Sequence, residues 1–147
     1  MNAEVFVDTN VLLYTIDEDP ASKQKRDLAQ QLLLSAPWSW SVQVAAEFFV
    51  NATSHKRPFR LVSTDAAALV ENWLAYPTQP LTPDLVRDAI AFHDRFQLSY
   101  WDAAILVAAK RLGCHTVYSE DLNPGQDYDG VRVLNPFAAT PVAAPAP

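Results

Sequence analysis

Cysteine, glycine and long apolar runs are scarce in this chain of 147 residues. Its single cysteine, Cys114, excludes an internal disulfide and a cysteine-rich zinc site. With three glycines and no glycine-rich loop, neither a P-loop nor a dinucleotide-binding motif is expected. The longest apolar run, residues 103–109, is far shorter than the roughly 20 residues that span a bilayer. Because no basic segment followed by an apolar run opens the sequence, a cytoplasmic location without membrane contact is expected.

Positive charge is also in short supply. Eleven Lys and Arg stand against seventeen Asp and Glu, which gives a net charge of −6. Overall electrostatics therefore opposes nucleic-acid binding, and any such activity needs a local site with cations or a basic patch. Half of the residues are hydrophobic, enough for the core of one domain over residues 1–137. Residues 138–147 are mostly Ala and Pro, and we expect them to form a disordered tail.

Strand-like and helix-like stretches alternate along the domain. An apolar run predicts a buried strand at residues 5–7, and Thr82-Pro83-Asp84 has the composition of a helix start. This alternation predicts a parallel α/β sheet with helices on both faces. The further strands are expected at 38–42, a short piece ending at 81, 115–118 and 131–133; the further helices at 20–35, 44–54, from Ser63 or Thr64 to 74, and from Ser99 to Gly113.

Four acidic residues occupy comparable places in this arrangement. Asp8 and Asp121 follow predicted strands, whereas Glu47 and Asp102 lie in the first turns of predicted helices. Ligands of open α/β sheets collect outside the carboxyl ends of the strands, so these acids are expected to converge on one crevice. Each also has a simpler interpretation: Asp8 and Asp121 suit turns, Asp102 suits a helix cap, and Glu47 suits an exposed helix face.

Several carboxylates in one crevice would raise each other's pKa unless a cation compensates them. Ligands that are all oxygen favour Mg²⁺, with Mn²⁺ as a substitute, over Zn²⁺. Two such ions can support in-line displacement at phosphorus. The acids therefore point to metal-assisted phosphate chemistry.

Four segments in order, residues 5–14, 41–48, 98–105 and 118–122, resemble the PIN-domain family, and especially the VapC-type toxins of prokaryotic toxin–antitoxin pairs. The resemblance covers residues 4–137. It implies a three-layer α/β/α sandwich around a central, mainly parallel, five-stranded sheet, usually in a homodimer. The residues it implies are Asp8, Glu47, Asp102 and Asp121 as catalytic metal ligands, with Asn10 and Ser119 as accessory residues. Glu120 is a departure from the pattern, and we expect Asp121 rather than Glu120 to face the metal.

The resemblance further implies a Mg²⁺-dependent endoribonuclease, in which attack by water leaves a 3′-hydroxyl and a 5′-phosphate. Its partners would be RNA and a cognate antitoxin, with DNA contacted only through the antitoxin. The basic segment 55–60 suggests RNA contacts from Lys56, Arg57 and Arg60. Some of the four tryptophans are expected to line a groove for the antitoxin.

Other functions remain open at this stage. A PIN-domain nuclease of RNA processing would carry the same residues as a toxin. A non-catalytic α/β binding module would use the acids only as caps and turns. A phosphatase-like hydrolase is less favoured, because Asn10 stands where a second aspartate would be expected two residues after Asp8.

Overall fold

The protein folds around one six-stranded sheet with helices on both sides, in a computed structural model that describes residues 4–138. The sequence predicted five strands and missed β5, which pairs antiparallel with β6 inside the expected loop after Ser119. The strand order is β3-β2-β1-β4-β6-β5, and the other pairings are parallel. The strands are β1 (Val5–Val7), β2 (Trp38–Ser41), β3 (Thr78–Gln79), β4 (Thr116–Tyr118), β5 (Asp127–Tyr128) and β6 (Val131–Leu134).

Side-chain caps explain several helix boundaries. Ser41 Oγ accepts from Val44 N at 3.2 Å, so the helix after β2 begins two residues earlier than predicted. The Thr82 cap is confirmed, with Thr82 Oγ1 accepting from Leu85 N at 3.1 Å. The predicted Ser or Thr cap near residue 63 is wrong, because Val62 holds that place. The helices are α1 (Thr9–Tyr14), α2 (Lys23–Ser35), α3 (Val42–Ala52), α4 (Ser63–Trp73), α5 (Pro83–Phe96) and α6 (Tyr100–Arg111), with a 3₁₀ turn at Pro20–Ser22.

The core lies between β1 and the helices that cover it. Every residue of β1 is buried, as expected for a central parallel strand covered on both faces. The apolar run of α6 is buried at all seven positions from Ala103 to Ala109. Burial of a large apolar side chain contributes roughly 2 kcal/mol, and in α6 this applies to Ile105, Leu106 and Val107, beside the apolar side chains of β1.

The strand order places a crevice beside β1. β1 pairs with β2 on one side and with β4 on the other, so the chain reverses its direction of travel across the sheet at this strand. Ligands of open α/β sheets bind at such a switch point. Within residues 4–138 no helix is long and apolar enough to cross a membrane. The tail predicted at 138–147 lies, from residue 139 onward, outside the described residues.

Candidate active site at the carboxyl ends of the central strands

Asp8 follows β1 directly, at the centre of the crevice. The residue is 8% exposed. Oδ1 accepts from Thr9 N at 2.7 Å and thereby caps α1, and Oδ2 accepts from Ser119 Oγ at 2.8 Å. The register of the sheet explains the second contact, because Val7 pairs with Tyr118 and the next residue of each strand is Asp8 or Ser119. The turn interpretation of Asp8 therefore explains the contact of Oδ1 with Thr9 N, but not the contact of Oδ2 with Ser119.

Asn10 links Asp8 to Asp121. Its Nδ2 lies 3.4 Å from Asp8 Oδ2, 3.1 Å from Asp121 Oδ2 and 3.3 Å from Ser119 Oγ. Its Oδ1 accepts from Glu120 N at 3.1 Å, which fixes the amide orientation. One neutral amide therefore holds two carboxylates on the same side of the sheet.

Glu47 reaches the same region from α3. Its Oε2 accepts from Thr9 Oγ1 at 2.9 Å, and its Oε1 accepts from Gln43 Nε2 at 3.0 Å. Thr9 follows Asp8 directly, so Glu47 lies beside the start of α1. We use "carboxylate site" for Asp8, Glu47 and Asp121 together with Asn10 and Ser119.

Glu120 turns away from this site. Its Oε2 lies 2.6 Å from Lys25 Nζ and its Oε1 accepts from Tyr14 Oη at 2.7 Å. Burial opposes ionisation, but these hydrogen bonds and the Lys25 charge hold the pKa of Glu120 below its usual value. Glu120 is thus paired with α1 and α2, whereas Asp121 is directed toward Asn10.

Asp102 is placed differently from the other three acids. Its backbone N donates to Ser99 Oγ at 3.1 Å, so Ser99 caps α6, but in the described part of the chain its carboxylate accepts no hydrogen bond. Burial, and then the negative charge of Asp102, raise the pKa of Tyr128 on β5. Hydrogen bonds therefore connect Asp8, Glu47 and Asp121, and they do not include Asp102.

The pKa of Asp8 is raised to about 6, mainly by burial and to a smaller extent by the charges of Asp121 and Glu47, which together outweigh the hydrogen bonds from Ser119 and Thr9 that lower it. No Lys, Arg or His in the described chain forms an ion pair with any of the four predicted acids. A cluster of oxygen ligands with uncompensated negative charge has the chemistry that suits a hard divalent cation. In this arrangement, however, no group of three His, Cys, Asp or Glu side chains among residues 4–138 could hold a metal ion. The donor chemistry fits Mg²⁺, although the side chains do not form a closed ligand set.

The three basic residues predicted to bind RNA differ in their surroundings. Lys56 and Arg60 are exposed, whereas Arg57 is partly buried and its Nη2 donates to Leu13 O at 3.1 Å. That carbonyl belongs to α1, the helix that carries Asn10. Arg57 is therefore anchored beside the carboxylate site.

Sequence reasoning missed five residues that support this region: Thr9, Tyr14, Lys25, Gln43 and Tyr128. The position of Thr9 between Asp8 and Asn10 offered a signal for its contact with Glu47. Lys25 offered none, because its partner Glu120 is 95 residues away in the sequence.

Comparison with known proteins places these features in a family. The sequence model described as PIN domain matches residues 5–126. None of the curated proteins compared with the chain matches it.

Solved structures resemble the fold. VapC20 of Mycobacterium tuberculosis, described as a toxin that cleaves the sarcin–ricin loop, is 23% identical with a TM-score of 0.62, over 80% of this chain and 89% of that chain. A toxin–antitoxin complex from Klebsiella pneumoniae is 18% identical with a TM-score of 0.64, over 90% and 98%. DNA-bound VapBC from Salmonella typhimurium is 17% identical with a TM-score of 0.61, over 91% and 98%. The chain spans nearly the full length of these structures.

Proposed function

The chain belongs to the PIN domain family, and we propose that it is a Mg²⁺-dependent endoribonuclease that acts as the toxin of a toxin–antitoxin pair. The observation that carries the proposal is the buried Asp8 carboxylate, which shares Asn10 with Asp121, lies near Glu47 and has no cationic partner among residues 4–138. An acidic site of this kind repels phosphate unless a divalent cation is present.

Asp8, Glu47, Asp102 and Asp121 would supply the oxygen ligands, and binding of the ion would have to draw them together, because within residues 4–138 no three of them could hold it as they stand. When bound, Mg²⁺ or Mn²⁺ supplies the positive charge that attracts and polarises a phosphodiester. Ser119 and Asn10 orient the Asp8 and Asp121 oxygens, and Thr9 with Gln43 orients Glu47. The protein's contribution is thus to position charged groups, and cleavage is expected to leave a 3′-hydroxyl and a 5′-phosphate.

The test is induced expression of the wild type beside Asp8→Asn and Asp102→Asn, followed by mapping of RNA 5′ ends. We expect growth arrest and discrete cuts from the wild type, and neither from the two variants. Glu71→Gln, an exposed change on α4, serves as the control and should behave as the wild type. Equal toxicity of the acid variants would refute the catalytic role.

An apolar groove supports an antitoxin as partner. It has a volume of about 390 Å³ and lies between α2, α4 and the start of β2. Trp38, on its wall, is 1% exposed, and its Nε1 has no hydrogen-bond partner within residues 4–138. An amphipathic antitoxin segment would cover the exposed apolar side chains of this groove, Leu34 above all. The groove is lined by Ile16, Leu33, Leu34, Trp38, Trp73 and Tyr76.

The toxin assignment is separable from a role in RNA processing. Relief of growth arrest by the product of a neighbouring antitoxin gene supports the toxin. Accumulation of unprocessed RNA in a deletion strain, without such a partner, would favour the processing nuclease. We further propose that the protein acts as a homodimer and contacts DNA only through the antitoxin.

A further inference from the structure

A small pocket opens beside the carboxylate site. It has a volume of about 260 Å³ and is lined by Asn10, Leu13, Tyr14, Asp17 and Arg57; we call it the Arg57 pocket. Asn10, which lines this pocket, also contacts Asp8 and Asp121 through its side-chain amide. A ligand in this pocket would therefore lie next to one held at the carboxylates.

Arg57 brings a positive charge to this pocket, which also has Asp17 in its lining. Its Nη2 is anchored on Leu13 O, but its Nε is buried and has no hydrogen-bond partner in the described chain. No carboxylate within residues 4–138 forms an ion pair with it. A partly buried guanidinium without a counter-ion is costly, and a planar donor of this kind suits a phosphate.

The loop that carries Arg57 is held in place rather than free. Arg57 N donates to Ser54 O at 3.0 Å, and Leu61 N donates to Ala52 O at 2.9 Å. The anchor on Leu13 fixes the side chain as well, so little conformational entropy remains to be lost on binding. The neighbouring Lys56 and Arg60 are exposed, and neither side chain has such an anchor in the part of the chain that the structure describes.

We propose that Arg57 binds the phosphate of single-stranded RNA that neighbours the cleaved one, and that the Arg57 pocket takes the attached nucleotide. This inference rests on the proposed ribonuclease function. The pocket offers an apolar wall at Leu13, the side chain of Tyr14 and a carboxylate acceptor at Asp17. Single-stranded RNA supplies the matching groups: a phosphate, an exposed base and hydrogen-bond donors.

The experiment measures RNA affinity in the Asp8→Asn background, where cleavage is not expected, by fluorescence anisotropy with a labelled single-stranded oligoribonucleotide. Arg57→Gln should weaken binding about tenfold or more, because a charge-assisted contact is lost. It should also lower the magnitude of the salt-dependence slope by about 0.7, the value for one phosphate on a single strand. Arg87→Gln, an exposed arginine of α5, is the charge-matched control and should bind as its parent does.

Equal affinity of the Arg57→Gln and Arg87→Gln proteins would overturn the inference. Should Arg57→Gln fail to fold, Arg57→Lys carries the test: a loss of several-fold supports the pocket, and affinity equal to that of Arg87→Gln overturns it. The two proposals fail separately. If the wild type cuts RNA but Arg57→Gln binds RNA normally, only the proposal for the Arg57 pocket is refuted. If RNA binding depends on Arg57 but the wild type does not cut RNA, only the nuclease proposal is refuted.

Discussion

Ser119 Oγ donates a 2.8 Å hydrogen bond to Asp8 Oδ2 across 111 positions of sequence. Burial raises the pKa of Asp8 and this contact lowers it, with a net value of about 6. The fraction of Asp8 that is ionised near neutral pH therefore depends on Ser119.

Replacement of Ser119 by Ala should raise the pKa of Asp8 further, because the ionised form loses a donor. The acidic limb of the pH–activity profile should move to higher pH, with a smaller loss of activity at pH 8 than at pH 6. The measurement is kcat/KM for RNA cleavage across this range. Ser63→Ala, which removes a hydroxyl that makes no cap, is the control; coincident profiles of both variants would contradict the prediction.

The metal-free protein should gain stability when Asp8 is replaced by Asn. The raised pKa means that the folded state binds the proton more tightly than the unfolded state. The stability from this group is therefore full below about pH 4 and lost as the pH rises through about 6. In urea unfolding with EDTA, the free energy of unfolding of Asp8→Asn should exceed that of the wild type by up to about 3 kcal/mol at pH 7. This difference should shrink toward pH 4. A gap that does not vary with pH would exclude this explanation.

Addition of Mn²⁺ should stabilise the wild type and leave Asp8→Asn almost unchanged. A ligand at about 100 times its Kd adds about 2.7 kcal/mol to the free energy of unfolding. The measurement is the Tm with MnCl₂ against NaCl at matched ionic strength. Removal of the metal by EDTA should reverse the shift and abolish RNA cleavage. The same shift in Asp8→Asn would place the ion elsewhere.

The contacts of Lys25 and Tyr14 with Glu120 should matter for activity more than for stability. Lys25→Met or Tyr14→Phe releases Glu120, and with it the backbone that precedes Asp121. Because Lys25 is partly exposed, we expect a stability change of about 1 kcal/mol or less, with a measurable fall in kcat. Lys23→Met, which breaks an exposed ion pair on the same helix, should leave kcat unchanged. Equal effects of the Lys23 and Lys25 changes would show that the contacts do not position Asp121.

The apolar groove should lose its partner when a charge is placed at its rim. Leu34 is 89% exposed, so Leu34→Glu should leave the Tm within about 2 °C while antitoxin binding weakens at least about tenfold. Val50→Glu places the same charge at a side chain of α3 that is 65% exposed and lies outside the groove. Titration calorimetry with the purified antitoxin measures both. If Leu34→Glu bound the antitoxin with unchanged affinity, the antitoxin would have to bind another surface.

The sequence by itself determined the fold class and the order of most elements. The buried run of β1 and the Thr82 cap of α5 are local patterns, and local patterns depend only on neighbouring residues. β5 was not predicted because a strand of two residues is too short to show an alternating hydrophobic pattern, and it forms only by pairing with β6. The sequence also placed Asp8 and Asp121 after strands, which is where the structure has them. Glu47 was expected near a helix start, but α3 begins at Val42, so Glu47 lies at the middle of that helix.

Only the tertiary structure decided which of these groups touch. The pairing of Val7 with Tyr118 brings Ser119 to Asp8, and no local pattern encodes the register of two strands that are more than a hundred residues apart. In the same way, packing of α2 against α1 gives Glu120 its Lys25 partner, and the loop after α3 singles out Arg57 among three basic residues. The sequence specifies the chemistry of each side chain directly, but distances between residues remote in sequence follow from the packing of the whole chain.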